Sequence, residues 1–179
     1  MNRKLIITIH LALAAFFTPT ILIVVISGGL YLLGEKGEVA SEILYRGEME
    51  SFTFEAEDKA GEVNQFLKEN GIEHDFEYIK DGDGFMLTRP TSKTHLLFER
   101  EKNQLIVSKQ IPNFIAAIIE VHKGHGPVLL KQFQKILALG LIVILLTGFY
   151  LGITSPLFKL KTIAISGAGL VTFLYLALV

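Results

Sequence analysis

The sequence predicts a membrane α-helical protein of three transmembrane helices with one small α+β domain on the extracytoplasmic side. Two observations carry this. First, three long stretches lack formal charge: Leu5 to Leu33, in which only His10 could carry one near neutral pH, Ile136 to Phe158, and Thr162 to Val179. A helix rises about 1.5 Å per residue and needs roughly 20 apolar residues to cross the hydrocarbon. Second, the charges are segregated. All 18 acidic residues lie between Glu35 and Glu120. Residues 34–126 hold 11 Lys and Arg against those 18, a net charge of −7, and the rest holds 6 Lys and Arg and no acid. The overall −1 conceals the split.

Orientation follows from the short flanks. Arg3 and Lys4 precede the first span, and Lys159 and Lys161 lie between the second and third. Short positive flanks stay in the cytoplasm. The N-terminus is therefore expected inside, with the acidic segment and the C-terminus outside. Lys131 and Lys135 oppose this at the outer end of the second span, where they can snorkel toward headgroups. The N-terminus looks like a signal peptide, but its apolar run far exceeds the usual ~7–15 residues, so an uncleaved anchor is expected. There is no cysteine, so the outer domain must rely on its own core.

The first span occupies 1–33. Pro19, flanked by Thr18 and Thr20, removes a helix hydrogen bond and predicts a kink. Gly28 and Gly29 permit a close approach near the outer end. The outer domain occupies 34–111. Residues 34–41 read as a linker; Ile43, Tyr45 and the alternating Phe52 and Phe54 read as strands. Asp58 is positioned to cap a helix with Ala60, Val63, Phe66 and Leu67 on one face, and Asn70-Gly71 to end it. Phe76/Tyr78, Phe85/Leu87, Leu96/Phe98 and Leu105/Val107 alternate as strands. Asp81–Gly84, Pro90–Lys93 and Arg100–Asn103 supply the turns. His74, His95 and the scattered carboxylates form no catalytic constellation and read as solvated surface.

Residues 112–125 read as an amphipathic interfacial helix and a Gly-rich break. Ile115, Ile118, Ile119 and His122 recur at i, i+3, i+4 and i+7, which puts His122 on the apolar face. Gly124-His125-Gly126-Pro127 breaks the helix. The second span and its cytoplasmic turn occupy 126–158. Gly148 and Gly152 have small-xxx-small spacing, and Thr154-Ser155-Pro156 ends the span. The third span occupies 159–179. No basic stripe, phosphate loop or zinc motif is present, which gives nucleic-acid binding no support.

Three histidines are candidate cofactor-binding residues. His10 lies within the first span, where an ionisable group is costly and usually faces the bundle interior. Neutral imidazole is a good iron ligand. His122 and His125 sit at the outer boundary, His125 between glycines that let a planar group approach. The bland alternative makes all three interfacial residues bonded to headgroups.

The order of these motifs resembles the PepSY-associated transmembrane proteins, whose larger members include membrane ferric-siderophore reductases. The resemblance covers nearly the whole chain. It rests on His10-Leu11-Ala12-Leu13 followed by Ser27-Gly28-Gly29-Leu30-Tyr31, on Val121-His122-Lys123-Gly124-His125-Gly126, and on Thr147-Gly148-Phe149-Tyr150. The strand–helix–strands order of the outer segment is similar to a PepSY domain.

The resemblance implies haem b with His10 and His122 as iron ligands, in a bacterial inner-membrane electron-transfer protein. Its acceptor would be ferric iron or a redox protein outside, as one component of a membrane oxidoreductase. His125 has no clear counterpart. Larger members have four or more spans; this chain shows three, with one matching histidine at each face. His10 and Ser27 are 17 residues apart, roughly 25 Å along a helix. The two histidines are therefore not expected to share an iron, and a homodimer or a larger redox complex would complete each pair. The alternative is a non-enzymatic membrane-anchored PepSY module: an accessory subunit, assembly factor or protease regulator.

Overall fold

The computed structural model describes residues 2–48 and 52–179. In chain order the elements are α1 (Arg3–Leu32), β1 (Val39–Glu48), α2 (Lys59–Glu69), β2 (Tyr78–Gly82), β3 (Phe85–Arg89), β4 (His95–Glu101), β5 (Gln104–Pro112), α3 (Phe114–His122), α4 (Val128–Ile153) and α5 (Lys159–Leu178). Helices α1, α4 and α5 are each long and apolar enough to cross a membrane. Their hydrophobic side chains are mostly exposed. Helices apolar all round find their solvent in lipid, where the helix satisfies its own backbone groups. The chain divides into two compact units, Met1–Ile21 with Lys135–Val179, and Leu22–Gln134.

In the first unit the helices meet where glycine leaves room. The Phe17 ring, 3% exposed, lies over Gly140, where an added Cβ would fall 2.3 Å from ring atom Cε2. Ile6 and Leu137 are also buried in this unit. The small-xxx-small pair of α4 serves two partners: Gly148 receives His10, and Gly152 receives Thr162 of α5. Apart from that approach α5 has no buried residue. Pro19 lies inside α1, which runs on through it as one helix. Thr154-Ser155-Pro156 ends α4 as expected, with the Lys159 amide donating to the Ser155 carbonyl at 2.9 Å.

In the second unit a five-stranded antiparallel sheet has the order β1-β5-β4-β3-β2. Side chains alternate across a strand. Met86, Leu96, Phe98, Leu105 and Val107 therefore share one face, which packs on Val63, Phe66 and Leu67 of α2. Asp58 caps α2 by accepting from the Gly61 amide at 2.9 Å, and Gly71, with φ +64°, turns the chain after it. The turn after β4 needs positive φ at Lys102.

Two expectations are corrected. Phe52 and Phe54 are buried in the core but lie outside any strand. A short extended segment sends alternate side chains to one side without pairing, so alternation alone does not make a ladder. Residues 39–41, read as linker, are the start of β1, which pairs Val39 with Pro112 and Ala40 with Ile111. Gly37, with φ +72°, lets the chain pass beside α3: a Cβ there would sit 2.3 Å from the Ala116 amide nitrogen.

Candidate functional site: two histidine shelves and a charged cleft

His10 projects from α1 onto α4. Its Nδ1 is 3.0 Å from the Thr147 hydroxyl, and the ring rests on Gly148, where an added Cβ would be 3.1 Å from Cε1. The Thr147 hydroxyl lies 2.6 Å from the Val143 carbonyl, which can only accept. The hydroxyl proton goes to that carbonyl, so its oxygen accepts from His10 Nδ1–H. A neutral imidazole protonated at Nδ1 presents a lone pair at Nε2, and Nε2 of His10 has no hydrogen bond among the described residues.

The same arrangement recurs in the other unit. His122, the last residue of α3, places Nδ1 2.9 Å from the Val24 carbonyl and 3.1 Å from the Ser27 hydroxyl. The carbonyl again requires Nδ1 to carry the proton. The ring rests on Gly28, with a would-be Cβ 3.1 Å from Cε1. Asn113 builds this position: it caps α3 by accepting from the Ala116 amide at 2.9 Å, and its own amide donates to the Glu38 carbonyl at 2.8 Å. The cap starts the helix in a register that ends with His122 against α1.

Both histidines thus have the tautomer of a metal ligand, whose second ring nitrogen typically donates to a carbonyl, carboxylate or hydroxyl. On this observation each would offer one nitrogen to a haem iron. The first unit supplies one such histidine; in the second, His95 and His125 also turn Nδ1 to an acceptor, the Lys93 carbonyl at 2.9 Å and Glu120 at 2.7 Å, and among the described residues no group of three or more His, Cys, Asp or Glu side chains could hold a bare metal ion.

His125 is placed differently. Its Nδ1 is 2.7 Å from Glu120 Oε2. The same carboxylate accepts from Thr91 Oγ1 at 2.6 Å and from Lys123 Nζ at 2.6 Å, and Arg89 Nη1 stands 3.8 Å away. Burial pushes the Glu120 carboxyl up, but the bonds from Lys123, Thr91 and His125 outweigh it and hold its pKa at about 2. His125 is an anchor of the Gly-flanked break, with one nitrogen committed to a carboxylate. This cluster had no sequence signal, because its members come from β3, the turn after it, α3 and the break.

Neither His74 nor His95 is freely solvated. His74, half-buried, bonds Thr88 Oγ1 through Nε2 at 2.9 Å, and desolvation followed by the nearby His95 lowers its pKa. His95 is half-buried at the edge of a cleft, and desolvation lowers its pKa too.

No family model, curated protein or solved structure matches this chain.

Proposed function

We propose that this chain is a haem b-binding electron-transfer protein of the bacterial inner membrane, a small relative of the PepSY-associated transmembrane proteins with a PepSY-like outer domain. One observation supports this above the others. Both candidate ligands, His10 and His122, are held through Nδ1 by a partner that leaves Nε2 as the lone-pair nitrogen.

Haem supplies one-electron redox chemistry when bound, with a potential set by its axial ligands and its surroundings. The chain's own residues do the rest. Thr147 and the Val24 carbonyl hold the two rings at fixed orientation and raise the basicity of Nε2. Gly148 and Gly28 let the Cε1 edge of each ring approach a helix closely. The apolar helices exclude water. Arg3 and Lys161 line one cleft of their unit, which agrees with a cytoplasmic location for both flanks under the positive-inside rule.

His10 and His122 are the single candidate ligands of their respective units, so a second ligand for each iron would come from another chain. A two-fold homodimer supplies it by self-pairing, His10 with its mate and His122 with its mate. The donor side is cytoplasmic or quinol-linked, and the acceptor side is extracytoplasmic, where ferric iron or a redox protein would receive the electron.

The test is the mass and haem content of the detergent-purified protein. Haem-loaded protein should be dimeric, and His10→Ala and His122→Ala should each remove a distinct fraction of the bound haem. Haem-loaded protein that is strictly monomeric overturns the dimer. The unpartnered surface of α5 favours a second reading, in which the chain is a non-enzymatic accessory subunit, assembly factor or protease regulator. Colourless protein co-purifying with one membrane partner supports that reading.

A further inference from the structure

We propose that a cleft on the second face of the sheet binds an anionic group, a carboxylate or phosphate, carried on an apolar stem. This site is independent of the haem reading. One face of the sheet is covered by α2; on the other, Leu87, Arg89, His95, Leu97 and Gln110 line a cleft of about 440 Å³, closed on its far side by α3 and the end of α1. That volume falls within the range of small-molecule sites.

The charge of the cleft runs against its surroundings. Residues 34–126 carry a net −7, yet the cleft gathers Lys36, Arg89 and Lys123 around a single carboxylate, Glu120. That carboxylate is already engaged by Lys123, Thr91 and His125. Arg89 is left with capacity. Its side chain is 9% exposed, Nη1 donates to Thr91 Oγ1 at 2.7 Å, and Nε is buried with no hydrogen-bond partner among the described residues. A buried donor without a partner is costly and uncommon. A guanidinium fork matches a carboxylate or phosphate, and such charge-assisted bonds are among the strongest available. Tyr31, Leu97 and Ile119 supply apolar wall for a stem.

Tyr31 belongs to the outer end of α1, an apolar helix of membrane-crossing length, so two sources offer this chemistry. One is the phosphate of an anionic phospholipid; the other is a soluble amphiphilic anion.

The experiment uses the full chain. Hexyl phosphate and hexanoate are titrated into protein in uncharged detergent, with hexyltrimethylammonium as control. In parallel, thermal midpoints are compared in nanodiscs of phosphatidylcholine with and without phosphatidic acid. Stabilisation by the soluble anions identifies a soluble ligand; stabilisation only by phosphatidic acid identifies a lipid. Either result should weaken about tenfold in Arg89→Gln, the loss of one charge-assisted bond. It should also weaken in Lys36→Ala, an exposed substitution that keeps the test valid if Arg89→Gln does not fold. Folded protein that responds to no anionic probe, or Lys36→Ala and Arg89→Gln variants that respond as strongly as the wild type, overturns the proposal.

Discussion

Each candidate ligand histidine gives one ring nitrogen to the protein and keeps the other. The two holders differ, and the difference is testable. Thr147→Val keeps the shape beside His10 but removes the acceptor at Nδ1. Haem affinity at that site should fall about 10–100-fold, the usual effect of removing a ligand's orienting partner. Ser27→Ala beside His122 leaves the Val24 carbonyl at 2.9 Å in place, so its effect should be smaller. Haem titration followed by absorbance compares them, and equal losses would contradict the roles assigned. His10, His122 and the Ser-Gly and Thr-Gly pairs were legible in sequence as motifs in order. Their pairing was not. His10 meets Thr147 across 137 residues and His122 meets Ser27 across 95, contacts that depend on helix rotation rather than on local pattern. His125 drew attention for its flanking glycines; its bond to Glu120 was hidden because the carboxylates looked scattered.

Among the elements, those with a local cause were the most legible. Asp58 capping α2 and Gly71 after it each follow from a cap or turn residue beside an apolar pattern. Asp58→Ala should cost about 1 kcal/mol of stability, the usual value for a lost N-cap. Gly37→Ala should cost more, because φ is +72° and the new Cβ would press on the backbone of α3. Thermal midpoints of the two variants decide the order; the reverse ranking would mean that α3 can shift to make room. Phe52 and Phe54 mark the limit of pattern reading. They bury as a strand would, yet Phe52 stacks on Phe98 at 5.2 Å from outside the sheet. Burial sets the alternation, and a ladder partner decides whether it is a strand.

For the whole molecule, charge segregation and uncharged runs gave three long apolar helices and a small α+β domain before any contact was known. What they did not give was the polar chemistry inside the domain, which also sets its response to acid. His74 has a folded pKa below its ordinary value, chiefly from desolvation, with His95 and Lys109 also lowering it and Asp75 opposing. Its unfolded form therefore takes up a proton first, and stability is lost as pH falls below about 6.5. Glu120, held at about 2, contributes stability above its ordinary value of 4.5 that is lost as pH falls from there toward 2. Both signs agree: acid destabilises the domain in two windows. The thermal midpoint should fall in each; His74→Gln should shrink the upper fall, which His95 shares, and Glu120→Gln should flatten the lower. A midpoint that rises on acidification contradicts both assignments. The central claim concerns the two histidine shelves, and the reduced-minus-oxidised absorbance spectrum of detergent-purified protein, expressed with haem supplied, tests it most directly. The account predicts a b-type difference spectrum that weakens in His10→Ala and again in His122→Ala. Folded wild-type protein with no such signal would contradict it.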